Sequence, residues 1–362
     1  MKKLLLINWR DIKNPEAGGA EIYYHEIFKR LAERGYSISV LSHWWQGAER
    51  HEMIDGITVI RKGSKWLFNF EIIPYLLRHQ DEYDLIIEDL NKIPFFTPLY
   101  LHRRPRLHLV MHFFGTAIFR EALFPAALYV FCMEKLVPLF YREERFVAIS
   151  HSTAREIERF PVAPERIGIV EPGIDIRYFK RTSDKASPPV LAYLGRLMKY
   201  KNVQFLIKAL PRLLERFPEL RLEIAGTGDY LPSLQTLAKK LQIAERVLFL
   251  GRISEEEKLN LLSRASLFVN PSSKEGWGIN NIEANLCGTI SLSSNVPGLR
   301  DSVIDGETGL LYTPDNLNDY CTKVIVVLTD TDRRTAMEKA AFKRARELDW
   351  NIIADRMAEY LV

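Results

Sequence analysis

The stretch Ser272-Ser273-Lys274-Glu275-Gly276-Trp277-Gly278-Ile279-Asn280-Asn281-Ile282-Glu283 follows a short apolar run that ends at Val269-Asn270-Pro271. A strand that passes through a glycine turn into a helix is the unit from which parallel α/β sheets are built. Gly276 and Gly278 let the backbone come close to a ligand. A helix opening near Gly278 aims unpaired N–H groups and the positive end of its dipole at the same place, which makes an anion site. Glu275, just before the helix, can accept hydrogen bonds from a polyol such as a sugar, and Glu283 within it can chelate a vicinal diol such as ribose. Two glutamates eight apart would say little alone, since a solvated loop carboxylate and an ordinary helix residue look the same. With the glycines and the strand context they suit a nucleotide sugar.

The same alternation of short apolar runs and helical segments extends in both directions. A polar, proline-containing stretch, Arg181 to Pro189, separates two series. Downstream, strands are predicted at Val190–Leu194, Arg221–Ala225, Val247–Leu250, Leu267–Val269 and Thr289–Leu292. Upstream they fall at Lys3–Ile7, Ser37–Ser42, Ile57–Arg61, Asp84–Glu88, Leu107–His112 and Phe146–Ser150, with a first crossover helix at Ala20–Glu33 ended by Gly35. Two doubly wound, Rossmann-like α/β domains follow from this pattern, and 362 residues at roughly 150 per domain agree with two.

Composition excludes several classes. With 47% hydrophobic and 27% charged residues, the chain is neither disordered nor fibrous. Its net charge of +4 is shared evenly by residues 1–150 and the remainder, so neither half is a basic nucleic-acid arm. Cys132, Cys287 and Cys321 fit neither a disulfide framework nor a zinc pattern, and a reducing compartment is expected. The run Met1 to Asn8 reads as a strand rather than a signal peptide, and the apolar run Leu123–Met133 is too short to span a bilayer.

In open parallel sheets ligands sit beyond the carboxyl ends of the strands. Arg196 and Lys201, in Gly195-Arg196-Leu197-Met198-Lys199-Tyr200-Lys201-Asn202, follow one predicted strand and can neutralise a departing diphosphate. Gly18-Gly19 joins the first strand to the first helix and can expose N–H groups to an anion. His112 closes another strand. Gly226-Thr227-Gly228 resembles the start of a dinucleotide fingerprint, but Leu231 stands where the third glycine belongs, which disfavours an oxidoreductase. Asp330-Thr331-Asp332 reads as a helix cap.

Taken in order, these elements resemble the retaining glycosyltransferases of family 4. They are the Gly18-Gly19 loop, His112, Ala148-Ile149-Ser150, Glu171-Pro172-Gly173-Ile174-Asp175, Gly195-Arg196-Leu197, Gly226-Thr227-Gly228 and Glu275 to Glu283. The likeness continues through Asn295-Val296-Pro297-Gly298 and Asp305-Gly306-Glu307-Thr308-Gly309 and covers nearly the whole chain. It implies the GT-B fold, two Rossmann-like domains facing across a cleft. Residues 1–175 would form the acceptor domain, 186–345 the nucleotide-sugar domain, and 346–362 a last helix returning to the first.

By position the resemblance implies that Arg196 and Lys201 hold the donor diphosphate, Glu275 the transferred sugar and Glu283 the ribose. The backbone of Gly278, Ile279, Asn280 and Asn281 would hold phosphate and sugar. His112 would touch the sugar near the reacting carbon, Gly18-Gly19 would approach the diphosphate, and the Gly251-Arg252-Ile253 loop would grip the base. Glu88, Asp89 and Asn91 stand where many relatives have an acceptor-side histidine. The implied reaction is metal-independent and retaining, from a UDP- or GDP-linked hexose to a hydroxyl acceptor of the cell envelope, with no cofactor and no nucleic acid. A GT-B nucleotide-sugar epimerase or hydrolase, or a non-catalytic binding protein, would use the same donor clamp. Apolar and basic residues between His102 and Ser150 suit either core helices that cover the sheet, with arginines solvated at their ends, or a surface by which a cytoplasmic enzyme meets a membrane carrying a lipid-borne sugar or a growing envelope polysaccharide.

Overall fold

Leu4, Leu5, Leu6 and Ile7 form an unbroken apolar run, as a parallel strand covered on both faces requires, and all four are buried. The computed structural model describes residues 2–91, 93–120 and 123–361. The chain divides into two units, Met1–Gly173 with Trp350–Val362, and Ile174–Asp349.

The first unit holds β1 (Lys3–Ile7), β2 (Ser37–His43), β3 (His51–Ile54), β4 (Ile57–Lys62), β5 (Leu85–Asp89), β6 (Arg106–Val110), β7 (Phe146–Ala148) and β8 (Ile167–Ile169). Their order is β3-β4-β2-β1-β5-β6-β7-β8, parallel except for β3. The helices are α1 (Gly19–Glu33), α2 (Phe68–Glu71), α3 (Ile73–His79), α4 (Phe124–Phe140) and α5 (His151–Ile157).

In the second unit β9 (Val190–Leu194), β10 (Arg221–Ala225), β11 (Val247–Gly251), β12 (Leu267–Asn270), β13 (Ser291–Ser294) and β14 (Gly309–Tyr312) run parallel in the order β11-β10-β9-β12-β13-β14. They alternate with α6 (Val203–Leu214), α7 (Leu231–Lys240), α8 (Glu255–Arg264), α9 (Ile279–Leu286), α10 (Leu299–Ser302), α11 (Leu317–Thr329) and α12 (Thr331–Arg346). Strand order reverses between β9 and β12, so the loops after these two strands flank the switch point where such sheets take ligands.

The last helix, α13 (Trp350–Tyr360), belongs to the first unit. Its Trp350 packs edge-on against Tyr23 of α1, and Arg34 pairs with Asp355 at 2.7 Å. Residues 346–349, predicted to travel with this helix, group instead with the second unit.

Several strand ends differ from the sequence reading. β6 stops at Val110, leaving His112 two residues past the sheet. The chain turns away there because Thr153 Oγ1 donates to the Met111 carbonyl and the Phe114 and Gly115 N–H groups donate to Glu134. Ser150 is not a strand residue: its Oγ accepts the Thr153 N–H as the N-cap of α5. β13 starts at Ser291 because Thr289 Oγ1 is tied to the Leu262 and Ala265 carbonyls. β3 was not foreseen, although Asp55-Gly56, both at positive φ, forms the hairpin turn that pairs it with β4. The short edge strands β8 and β14 were also missed. Asp330 caps α12, accepting the Arg333 N–H, as its position in a polar turn suggested.

Beneath β5 and β6 lies a buried ionic network. His108, fully buried, faces Glu144 at 3.2 Å and Glu88 at 3.4 Å, and Arg106 pairs with Glu144 at 2.7 Å. Burial opposes charge on the imidazole, but the two carboxylates outweigh it and raise its pKa. Burial likewise opposes charge on Glu144, and the hydrogen bonds from His108 and Arg106 bring it down to about 2. A histidine whose folded pKa is raised adds stability below its unfolded value of about 6.5, and loses it as pH rises through the folded value. His108→Gln is therefore expected to cost roughly 3 kcal/mol at pH 5–6. The gap from wild type in urea midpoint should narrow steadily toward pH 9; a gap independent of pH would show that His108 is not charged in the fold.

Candidate donor site at the switch point of the second sheet

The loops after β9 and β12 are bound to each other. Ser273 donates both its N–H and its Oγ–H to the Tyr200 carbonyl, at 3.0 and 2.9 Å. Lys201 and Glu275, 74 residues apart in sequence, form an ion pair between half-buried side chains. Lys201 also lies 5.3 Å from the centre of the Tyr200 ring, and Arg196 donates to the Tyr200 hydroxyl at 3.2 Å. Arg196 is exposed. Two cations and one carboxylate thus share one end of the sheet, held there by Tyr200, which sequence reading passed over.

Glycines make the close approach possible, though not always those expected. A Cβ on Gly226 would run into the Gly195 carbonyl, and one on Gly228 into the Leu197 carbonyl. The glycines of the apparent dinucleotide fingerprint therefore serve loop-to-loop contact, sealed by the Leu197 N–H donating to the Thr227 carbonyl at 2.8 Å. Gly298, at φ +84°, packs its backbone directly on the Glu275 carbonyl. Gly278, at φ +79°, takes up the left-handed N-cap of α9, and a Cβ there would lie 2.7 Å from Leu299 and 2.9 Å from Ser302. Its freedom serves the fold rather than only a ligand. Gly276 has open space around its Cα.

α9 presents fewer free groups than the sequence suggested. The Asn281 N–H donates to the Gly278 carbonyl, and its buried side chain donates to Ser302 at 2.8 Å and accepts from Ser293 at 3.2 Å. Asn281 is thus a structural tie. Asn280 donates to the Leu194 carbonyl at 2.7 Å, which anchors the helix start to the end of β9, and Ile279 is exposed at the N-terminal turn. One turn on, Glu283 pairs with Lys258 of α8 at 3.2 Å, while its Oε2 is buried without a partner. Burial pushes its pKa up against the pull of Lys258. Lys258 was invisible in the sequence, 25 residues from the side chain it meets. Arg252 and Ile253 follow Gly251, whose carbonyl accepts the Gly226 N–H at 2.7 Å; Arg252 is exposed.

The first-unit candidates separate. Glu88 is fully buried, its carboxylate taken by the Phe95 N–H and the Tyr141 hydroxyl, both at 2.7 Å, and by Thr97. Asp89 is equally buried and accepts from Tyr24. These two carboxylates hold the interior together and are corrected from acceptor-side to structural positions. Asn91 keeps a buried, unpartnered Oδ1. The Gly18 N–H donates to Glu21 at 2.7 Å, so the capping carboxylate, not an anion, takes it; Gly19 opens α1 with free space around it. His112 is half-buried, its ring 4.5 Å from that of Phe114. Among the described residues no three His, Cys, Asp or Glu side chains are grouped so as to hold a metal ion.

Two family models cover the chain almost end to end: Glycosyltransferase Family 4 matches residues 17–178 and Glycosyl transferases group 1 matches residues 175–344. The chain belongs to glycosyltransferase family 4. Its relatives include a D-inositol 3-phosphate glycosyltransferase of Kribbella flavida, 24% identical over 94% of this chain and 89% of that one. Another, from Corynebacterium aurimucosum, is 30% identical over 57% of this chain and 56% of its own. With most of these curated relatives the chain spans about half of their length. The structure of Anabaena HepE in complex with UDP and glucose superposes with a TM-score of 0.72 at 20% identity, over 100% of this chain and 99% of that one. The fold of this family 4 member is GT-B.

The glycine contacts separate two substitutions. Gly298→Ala forces a Cβ against the Glu275 carbonyl and should cost roughly 1–3 kcal/mol by overpacking, lowering the thermal midpoint. Gly276→Ala adds a methyl to open space, so its midpoint should stay near wild type while nucleotide binding falls. A stable Gly298→Ala with unchanged nucleotide affinity would refute the packing argument.

Proposed function

We propose that this family 4 member transfers a hexose-type sugar, with retention, from a UDP- or GDP-linked donor to a hydroxyl acceptor in envelope glycan or glycolipid synthesis. The observation that carries it is the meeting of Lys201, Arg196 and Glu275 at the switch point, followed in α9 by Glu283 with one buried, unpartnered oxygen. The free Glu283 oxygen suits a ribose hydroxyl. Arg196 and Lys201 take the diphosphate, Lys201 exchanging its carboxylate partner for phosphate oxygens. Glu275, released from Lys201, accepts from sugar hydroxyls. Ile279 and Asn280 N–H groups at the start of α9 face the same charge. HepE, on the same fold, holds UDP and glucose, which supports a nucleotide-sugar ligand here. The assignments of His112, Gly19 and the Arg252-Ile253 loop rest on resemblance to the family.

In the transfer, the bond from the anomeric carbon to phosphate breaks, one to the acceptor oxygen forms on the same face, and the acceptor proton passes to the leaving phosphate. The protein's main task is to stabilise that phosphate, and the two cations supply the charge a divalent ion would otherwise bring. Glu275→Ala and Lys201→Ala should each reduce turnover by about 10²–10³-fold while the thermal midpoint changes little. Release of UDP or GDP from a panel of nucleotide sugars, with and without saccharide acceptors and in excess chelator, tests the whole reading. Acceptor-independent release would point to a hydrolase, no release to a binding protein, and loss in chelator would remove metal independence.

Peripheral membrane contact is part of the proposal. α4 is apolar nearly all round; Val137 packs on the sheet residues Val110, Phe146 and Ala148, Ala127 and Val130 pack with Phe114 and Ile118, and Leu123, Phe124 and Leu139 are exposed, Leu123 by 85%. Lys135 and the exposed Arg142 lie on or beside the same helix; the Arg120 side chain falls outside the described residues. Among the described residues no helix is long and apolar enough to cross a membrane. Such a surface suits the headgroup region of an anionic bilayer. Co-sedimentation with anionic vesicles is expected at low salt and should weaken at high salt; equal partitioning to neutral vesicles would count against it.

A further inference from the structure

At the carboxyl ends of β1, β2 and β4 the first unit holds a cavity of about 310 Å³, at the lower end of the ~300–1,000 Å³ of small-ligand sites. Two adjacent tryptophans, Trp44 and Trp45, line it, both half-buried. Each indole is fixed from behind. The Arg50 guanidinium lies 4.3 Å from the Trp44 ring centre and that of Arg61 4.6 Å from Trp45. Trp44 Nε1 donates to the Ala48 carbonyl at 2.7 Å, and Arg61 is itself locked into a buried pair with Asp11 at 2.8 Å. The rings are therefore preset rather than mobile, which removes an ordering cost from binding.

Polar groups complete the wall. Glu16 is paired with Lys65 and Arg10, both at 2.6 Å. Asn14 accepts the Glu16 N–H at 2.9 Å and its amide meets His43 Nε2 at 3.4 Å, so it positions both neighbours. His43 Nδ1 faces the Trp44 carbonyl at 3.0 Å and carries the proton there. Among the described residues lining the cavity the sole cation, Lys65, is already matched by Glu16. The lining residues thus carry one ammonium and one carboxylate, with the aromatic face on one side and this pair on the other, and Arg10 and Arg50 stand behind them.

Resting on the glycosyltransferase reading, we infer that this cavity is the acceptor subsite and that the acceptor is an uncharged saccharide ring. A pyranose has an apolar face of C–H bonds, which packs on the electron-rich face of an indole, and a rim of hydroxyls that both donate and accept. Trp44 and Trp45 take the face. Glu16 accepts from hydroxyls and Lys65 donates to them. A phosphorylated polyol, the substrate that the names of two relatives carry, would have to draw Lys65 or Arg10 away from Glu16.

Saturation-transfer NMR on the full chain, with a mixture of the methyl glycosides of glucose, galactose, mannose and N-acetylglucosamine, tests this. At least one glycoside should show transfer to its ring protons. The signal should fall at least about fivefold in Trp44→Ala and in Trp45→Ala, and persist in Trp44→Phe and Trp45→Phe, which keep an aromatic face. UDP or GDP affinity, measured in parallel, should stay within about twofold in all four variants. No glycoside signal from a chain that binds nucleotide would overturn the acceptor subsite while leaving the donor reading intact. Signals indifferent to the alanine variants, or preferential binding of inositol phosphate, would overturn it too. Failure of the wild-type chain to bind either nucleotide would instead remove the transferase reading on which the subsite rests.

Discussion

Backbone contact between loops is the constraint on which the second unit's site depends. Gly226 lies on Gly195, Gly228 on Leu197, and Gly298 on Glu275, so the segments leaving β9, β10, β12 and β13 are stacked with no side chain between them. These glycines stack the β9 loop on that of β10 and the β12 loop on that of β13; the two pairs are then joined by Lys201 meeting Glu275 and by the Tyr200 carbonyl accepting two bonds from Ser273. A parallel sheet delivers all its strand ends to one edge, and the reversal of order between β9 and β12 leaves room there. The glycines then set how closely the edge is drawn together.

Charge is handled differently in the two units. In the second, carboxylates near the switch point are each matched by one lysine, Glu275 by Lys201 and Glu283 by Lys258, and one Glu283 oxygen is left unpartnered. A buried acceptor without a donor is costly in a core and useful where a ligand hydroxyl can supply the missing bond. In the first unit Glu88 and Asp89 sit beneath the sheet's end and are hydrogen-bonded by hydroxyl and amide donors of the fold itself. Similar residues at similar strand ends thus divide into site and scaffold according to what surrounds them. The tryptophan cavity stands between these cases, its lining ammonium and carboxylate paired and its aromatic faces held from behind.

Strand β9 begins and ends where its apolar run does, and β1 and β10 each add one exposed basic residue at the start, because the strand interiors are buried. The first crossover helix and the Asp330 cap of α12 were readable in the same way. Errors cluster where side chains compete for backbone: Thr153 drawing Met111 away before His112, and Thr289 delaying β13. Short edge strands such as β8 carry too few residues for a pattern to register.

For the site, the strand-to-glycine-to-helix order of residues 270–283 determined by itself that Glu275 and Glu283 lie at a sheet's carboxyl edge, since that order admits one local geometry. It could not determine their partners. Lys201 is 74 residues from Glu275 and Lys258 is 25 from Glu283, distances over which spacing carries no information. Nor could it distinguish Glu88, an acid by composition, from a ligand-facing acid, because burial is a property of the packed sheet rather than of the residue. Chemistry at each position was written in the chain; which groups meet, and which are left one hydrogen bond short, was decided only when the strand order within a sheet brought distant loops to one of its edges.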